Sequence, residues 1–142
     1  MKANTEIISK VINFIEENLT TEENLDLDKI ADTANYSKYH LHRMFSSIVG
    51  CTIHQYIQKR RLTEAARQLV YTDKSIIDIS LTSGYETQQS FTLAFKRLYE
   101  QSPQSYRKRQ IFLPIQLKFE KQKVKNISSY TNLTMKCEVK VA

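Results

Sequence analysis

A pattern of residues spanning 30–56 recurs at 79–106, and a chain that carries one short two-helix plan twice is confined to few folds. Ile30-Ala31, Asn35 and Tyr36 match Ile79-Ser80, Gly84 and Tyr85 at an offset of 49. One extra residue after Tyr85 moves the offset to 50, where Ser37, Leu41 and Phe45 match Thr87, Phe91 and Phe95, and Thr52 and Tyr56 match Ser102 and Tyr106. Each matched type has a steric reason. Small Ala31 and Ser80 suit a close crossing of two helices, Asn35 and Gly84 suit a turn that needs positive φ, and Ser37 and Thr87 suit a helix N-cap. Short helix, tight turn and second helix make a helix-turn-helix, and two copies with matched caps signal far more than one.

Hydrophobic spacing places the remaining elements. Ile7, Ile8, Val11, Ile12 and Ile15 form one apolar stripe on an amphipathic helix that ends near Asn18. Asp26 caps a short helix that stops near Asn35. After Ser37, Leu41, Met44, Phe45 and Ile48 fall inward, leaving Lys38, Tyr39, His42, Arg43 and Ser46 outward. Between the copies, Ile53 to about Tyr71 reads as one continuous helix, with Leu62, Ala65, Ala66 and Leu69 inward and Lys59, Arg60, Arg61 and Arg67 around its remaining surface. At about 1.5 Å per residue such a helix is roughly 27 Å long. With the flanking units added, it could set two second helices on one side of B-DNA about one turn apart, near 34 Å.

Only two Gly and two Pro occur in 142 residues, so turns are few and helix should dominate. The expected fold is all-α: a seven-helix bundle of two helix-turn-helix subdomains joined by a long linker helix, with a short C-terminal tail able to form a β-strand. The net charge of +6 is unevenly distributed. Residues 1–35 carry three basic and eight acidic groups, residues 36–110 twelve and five, and residues 111–142 six and two. A basic body behind an acidic first segment suits a polyanion on one face. Cys51 and Cys137 show no CxxC or Cys/His ligand spacing, so neither a zinc site nor a disulfide framework is suggested and a reducing cytoplasm fits. His40 and His42, two apart on a helix, diverge too far to share a metal; no cofactor is expected. No leader pattern and no bilayer-length apolar run is present, so no membrane partner is expected.

Gly84-Tyr85-Glu86-Thr87-Gln88-Gln89-Ser90-Phe91, then Phe95-Lys96, Ser102-Pro103 and Tyr106-Arg107, together with Tyr36 to Phe45, resemble the DNA-binding domain of the AraC/XylS family of bacterial transcription regulators. The likeness covers roughly residues 5–110 and is strongest toward members related to the multiple-antibiotic-resistance activator and the right-origin-binding protein. It implies a monomer on double-stranded DNA, with one recognition helix in each of two successive major-groove segments, in a cytoplasmic, nucleoid-associated protein that meets RNA polymerase. Carried over by position, the base-reading residues are Tyr39, His42 and Arg43 in the first unit and Gln88, Gln89, Thr92 and Leu93 in the second. The chemistry agrees: Arg pairs bidentately with guanine, Gln with adenine, and Tyr and Thr touch thymine methyls or phosphates. Lys38 joins them on the first outward face, and Lys96 and Arg107 are assigned to phosphates.

Three departures from the family pattern matter. Asn35 stands where Gly is usual, Gln101 where the second unit's exit often has Gly, and Leu93 where close relatives place Arg. A Leu cannot read guanine, so the second unit is expected to recognise less, or A·T-rich sequence. Domain boundaries are expected at 1–110 for DNA binding (1–52, 53–71 and 72–110 within it). In residues 111–142 the alternation Met135 to Val141 reads as one strand; the resemblance implies a linker and the first strand of an effector domain whose remainder is missing, the alternatives being a strand that pairs with another copy or folds back. The competing reading is a non-catalytic architectural or protein-interaction module that binds DNA without sequence preference. Gln88, Gln89 and Arg43 on outward faces favour base reading over phosphate-only binding. An enzyme is a poor fit, because no nucleophile-base pairing, P-loop or dinucleotide fingerprint is present.

Overall fold

The structure is a computed structural model that describes residues 2–20 and 25–120. Among these, seven helices and no strand occur: α1 (Lys2–Glu17), α2 (Leu27–Ala34), α3 (Lys38–Val49), α4 (Ile53–Tyr71), α5 (Ile76–Thr82), α6 (Gln88–Tyr99) and α7 (Pro103–Arg109). The strand expected at 135–141 lies outside the described residues.

Local chemistry explains the boundaries. The Asp26 carboxylate accepts from the Asp28 N–H at 2.7 Å to start α2, and Asn35, at φ 63°, ends it in the left-handed conformation anticipated for the first turn. The Ser37, Ser75, Thr87 and Ser102 hydroxyls each accept from the N–H three residues on. Thr52 and Gln55 form a reciprocal capping box at 3.0 Å in both directions. Gly84 takes φ +90°, and a Cβ there would come within 3.1 Å of the Arg61 guanidinium carbon, so a side chain would be strained by the backbone and would press on Arg61. In the exit of the second unit, where Gln101 replaces a frequent Gly, the positive φ falls one residue earlier, at Glu100 (φ 62°). A Glu in that conformation is strained. Glu100→Gly should therefore raise stability by about 0.5–1 kcal/mol in a urea melt with an unchanged slope.

The repeat is a structural identity at the turn. Tyr36 donates its N–H to the Ala31 carbonyl and Tyr85 donates to Ser80, both at 3.1 Å. The residue that crosses closely in each unit, Ala31 or Ser80, is buried, and the Ser80 hydroxyl is satisfied by the Ile77 carbonyl at 2.7 Å.

Two cores result. Ile8, Val11, Ile12 and Ile15 of α1 close the first, over Ile30, Leu41, Phe45 and the start of α4. The second is built from Leu62, Ala65, Ala66 and Leu69 of α4 with Ile79, Phe91, Phe95, Tyr99 and Tyr106. Its rings interlock, Phe95 stacking on Tyr99 at 4.6 Å and meeting Tyr106 edge-on at 5.4 Å. One helix, α4, thus belongs to both cores, its first half to one and its second half to the other.

That sharing overturns the expectation that Arg60 lies on the surface of α4. Arg60 is 4% exposed. Its Nε and Nη2 donate to Glu16 at 2.7 and 2.9 Å, and its Nη1 donates to Glu64 at 3.0 Å and to the Gln116 carbonyl at 2.9 Å. Arg61 is half-buried and donates to the Leu19 carbonyl at 2.8 Å. A helix wedged between two units and a covering segment has little surface left for charge. Residues 111–120, expected as the start of a linker, instead lie back on both cores through Phe112, Ile115 and Phe119. Cys51 is buried and is not a free thiol, contrary to the expectation of no disulfide.

Candidate nucleic-acid interface

The apolar phase of α3 turns Leu41, Met44 and Phe45 into the first core and leaves Lys38, Tyr39, His42 and Arg43 exposed. In α6, burial of Phe91, Ala94 and Phe95 leaves Gln88, Gln89, Leu93 and Lys96 exposed and Thr92 half-buried. Nine of the ten site residues read from sequence thus fall on the outward faces of two helices that begin with equivalent N-caps.

Within the first face, the Arg43 Nη1 donates to the Tyr39 hydroxyl at 3.3 Å, and its guanidinium carbon lies 5.6 Å from the Tyr39 ring centroid. This i, i+4 pair steers Arg43 along the helix surface and lowers the rotamer entropy lost when it meets a ligand. Tyr39 itself is 70% exposed, a large ring with no core to serve. Lys38 pairs with Asp28 of α2 at 3.2 Å in full solvent, a contact worth about 0–1 kcal/mol that a phosphate can displace. His40, by contrast, packs on the Tyr36 ring at 4.8 Å.

The second face carries amide and apolar groups. Among the described residues, no side-chain hydrogen bond or ion pair engages Gln88, Gln89 or Lys96. Leu93 is 55% exposed. Sequence reasoning passed over Arg97, an exposed cation one turn beyond Leu93. The i, i+4 spacing from Leu93 was the available signal.

Arg107 stands apart from the other nine. Its Nε donates to the Leu69 carbonyl at 2.9 Å, and its Nη2 donates to the Lys74 and Thr72 carbonyls at 2.7 and 3.3 Å. These groups lie at and just beyond the C-terminus of α4, where unpaired carbonyls attract a cation. The Arg107 guanidinium, assigned to a phosphate from sequence, is thus engaged by three carbonyls of its own chain. Arg107→Ala should lower stability by about 1–3 kcal/mol, as loss of charge-assisted bonds to carbonyls does, and leave the slope of log binding constant against log salt unchanged. A slope that falls by about one unit would restore the phosphate reading.

Among the described residues, no group of three or more His, Cys, Asp or Glu side chains is placed to hold a metal, and no helix is long and apolar enough to cross a membrane. Two N-capped helices, each behind a short helix and a tight turn, with polar faces outward, define a double helix-turn-helix DNA-binding protein.

Comparison with known proteins carries this further. A family model described as "Helix-turn-helix domain" matches residues 30–109. The chain is 45% identical over 101 residues to the HTH-type transcriptional activator AarP of Providencia stuartii, covering 71% of this chain and 73% of that protein. It is 38% identical over 104 residues to the regulatory protein SoxS of Salmonella typhimurium, covering 73% and 95%. An AraC-type DNA-binding-domain transcriptional regulator of known structure from Chromobacterium violaceum superposes with a TM-score of 0.69 at 25% identity, over 78% of this chain and 96% of that one. The chain belongs to the AraC/XylS family and is a sequence-specific DNA-binding transcription regulator.

Proposed function

We propose that the protein binds duplex DNA as a monomer, with α3 in one major-groove segment and α6 in the next, and that on DNA it meets RNA polymerase. Residues 1–110 form the binding domain, divided at 52 and 71, and act in the cytoplasm on the nucleoid. The observation that carries this reading is the repeat itself. Two equivalent helices, started by equivalent caps, expose side chains suited to base edges and hold their apolar sides in separate cores.

Roles follow from the side chains. Arg43 makes a bidentate contact to guanine O6 and N7, with Tyr39 and His42 beside it. Gln88 and Gln89 address adenine N6 and N7, Thr92 and Leu93 touch thymine methyls, and Lys38 and Lys96 contact phosphates. Selection from a randomised duplex pool should return a bipartite motif. On the selected site, Arg43→Ala should cost about 1–3 kcal/mol and relax preference at one base position in the first half. Equal weakening for every sequence would instead mark Arg43 as a phosphate contact.

A further inference from the structure

Residues 111–120 form neither helix nor strand, yet every stretch of them is tied down. Phe112 and Ile115 pack on the second core and Phe119 on the first. The Leu113 carbonyl accepts from the Tyr99 hydroxyl at 2.9 Å, and the Leu113 N–H donates to the Tyr106 hydroxyl at 2.7 Å. The Gln116 N–H donates to the Thr63 Oγ1 at 3.0 Å, and its carbonyl accepts from Arg60. The Phe119 N–H donates to the Tyr56 hydroxyl at 3.0 Å.

Two regularities stand out in this set of contacts. First, Tyr56, Arg60, Thr63 and Arg67 fall at i, i+4, i+7 and i+11, one stripe along α4. The segment runs antiparallel along that stripe, with Phe119 at Tyr56, Gln116 at Arg60 and Thr63, and Phe112 beneath the Arg67 guanidinium at 4.8 Å. Second, Tyr56 and Tyr106 are the matched tyrosines of the repeat, both buried, and each accepts one N–H from the same segment. Burial pushes the Tyr56 hydroxyl up to about 12, so it stays a neutral acceptor at any physiological pH.

We propose that residues 111–120 are a brace that fixes the two helix-turn-helix units relative to each other and so sets the half-site spacing the protein accepts. This rests on the two-segment reading above. Without the brace, α4 is the main connection between the cores, and the angle between the units then rests chiefly on how each packs against its own half of one helix. A second, parallel connection anchored in both cores resists bending and twisting together. One base pair more or less between half-sites moves the second major-groove segment by about 3.4 Å and about 35°, a displacement a braced pair of units cannot follow.

The test uses the full chain and a selected bipartite site, together with versions that carry one inserted or one deleted base pair between the halves. Phe112→Ser/Ile115→Ser/Phe119→Ser strips the apolar anchors without touching either recognition helix. Tyr56→Phe/Thr63→Val/Tyr106→Phe removes the hydrogen-bond acceptors and keeps the packing, and stands in should the first variant fail to fold. Where a spacer change costs the wild type about 100-fold in affinity, either variant should lose less than about 10-fold, because a flexible connection tolerates a range of spans. A variant that still discriminates spacing as the wild type does overturns the brace alone. A wild type indifferent to spacing overturns the brace and the two-segment reading together.

Discussion

Arg60→Met should cost about 3 kcal/mol of folding stability, the low end of what removing one partner from a buried charge cluster costs. The arginine is nearly sealed, and it is the donor that Glu16, Glu64 and the Gln116 carbonyl share. Burial works against its charge, but the hydrogen bond and attraction from Glu16 outweigh that, so its proton is held more tightly than in a free arginine. Methionine fills much of the volume but takes the guanidinium away from the buried Gln116 carbonyl and deprives Glu16 and Glu64 of the cation they share. The low end applies because both carboxylates keep some access to water. Adding Glu16→Leu should recover part of the loss, since apolar replacement of a whole buried pair is often close to neutral. The pH dependence supplies an independent check. Burial raises the pKa of the Glu64 carboxyl, but its hydrogen bond to Arg67 and the attraction of Arg60 pull it below its ordinary value of 4.5. A carboxyl depressed in the folded state stabilises fully above 4.5, and that stability is lost as pH falls through the folded value. With Arg60 gone the depression shrinks, so the acid-side decline should be shallower. An unfolding free energy from urea melts within about 1 kcal/mol of wild type at neutral pH would show that the cluster contributes little.

Arg60 also shows where sequence reading stops. Helix positions, caps and the two turns were legible because each depends on neighbours within a few residues: Asp26, Asn35, Ser37, Gly84 and Thr87 all act locally. The outward faces of α3 and α6 were legible for the same reason, as the complement of an apolar stripe. The face of α4 occupied by residues 111–120 depends on a segment about fifty residues away. An Arg on a helix whose one visible partner is Glu64 at i+4 reads as a solvated pair, and its other acceptors, Glu16 and the Gln116 carbonyl, are 44 and 56 residues distant. Arg107 has nonlocal partners in the same way. Its position after a recognition helix suggested a phosphate, whereas the carbonyls it serves belong to the other end of the domain's long helix. Nonlocal capping leaves no periodic trace.

Scrambling the first half of the binding site should cost more affinity than scrambling the second, because Arg43 and Leu93 occupy equivalent outward positions of the repeat. Both side chains are exposed on helices of equal length and equivalent start, so the difference lies in chemistry, not placement. A guanidinium forms two directional hydrogen bonds to guanine that discriminate by about 1–3 kcal/mol, and Tyr39 already holds it along the helix. A leucine offers only apolar contact with a thymine methyl. Affinity at the second half then comes from Gln88, Gln89 and the cations Lys96 and Arg97, of which the cations act on phosphates whatever the sequence. The second half-site should accordingly be degenerate or A·T-rich. Leu93→Arg should make it selective, adding a guanine preference of about 1–3 kcal/mol at one position, with a competition assay at fixed salt as the measurement. Arg97 sharpens that test. If the cation one turn on already occupies the nearby phosphate, the new arginine is left to the bases; if base preference is unchanged and only the salt slope steepens, the second helix meets the backbone alone. Equal losses on scrambling either half would remove the asymmetry altogether, and with it the assignment of Leu93 to a base edge.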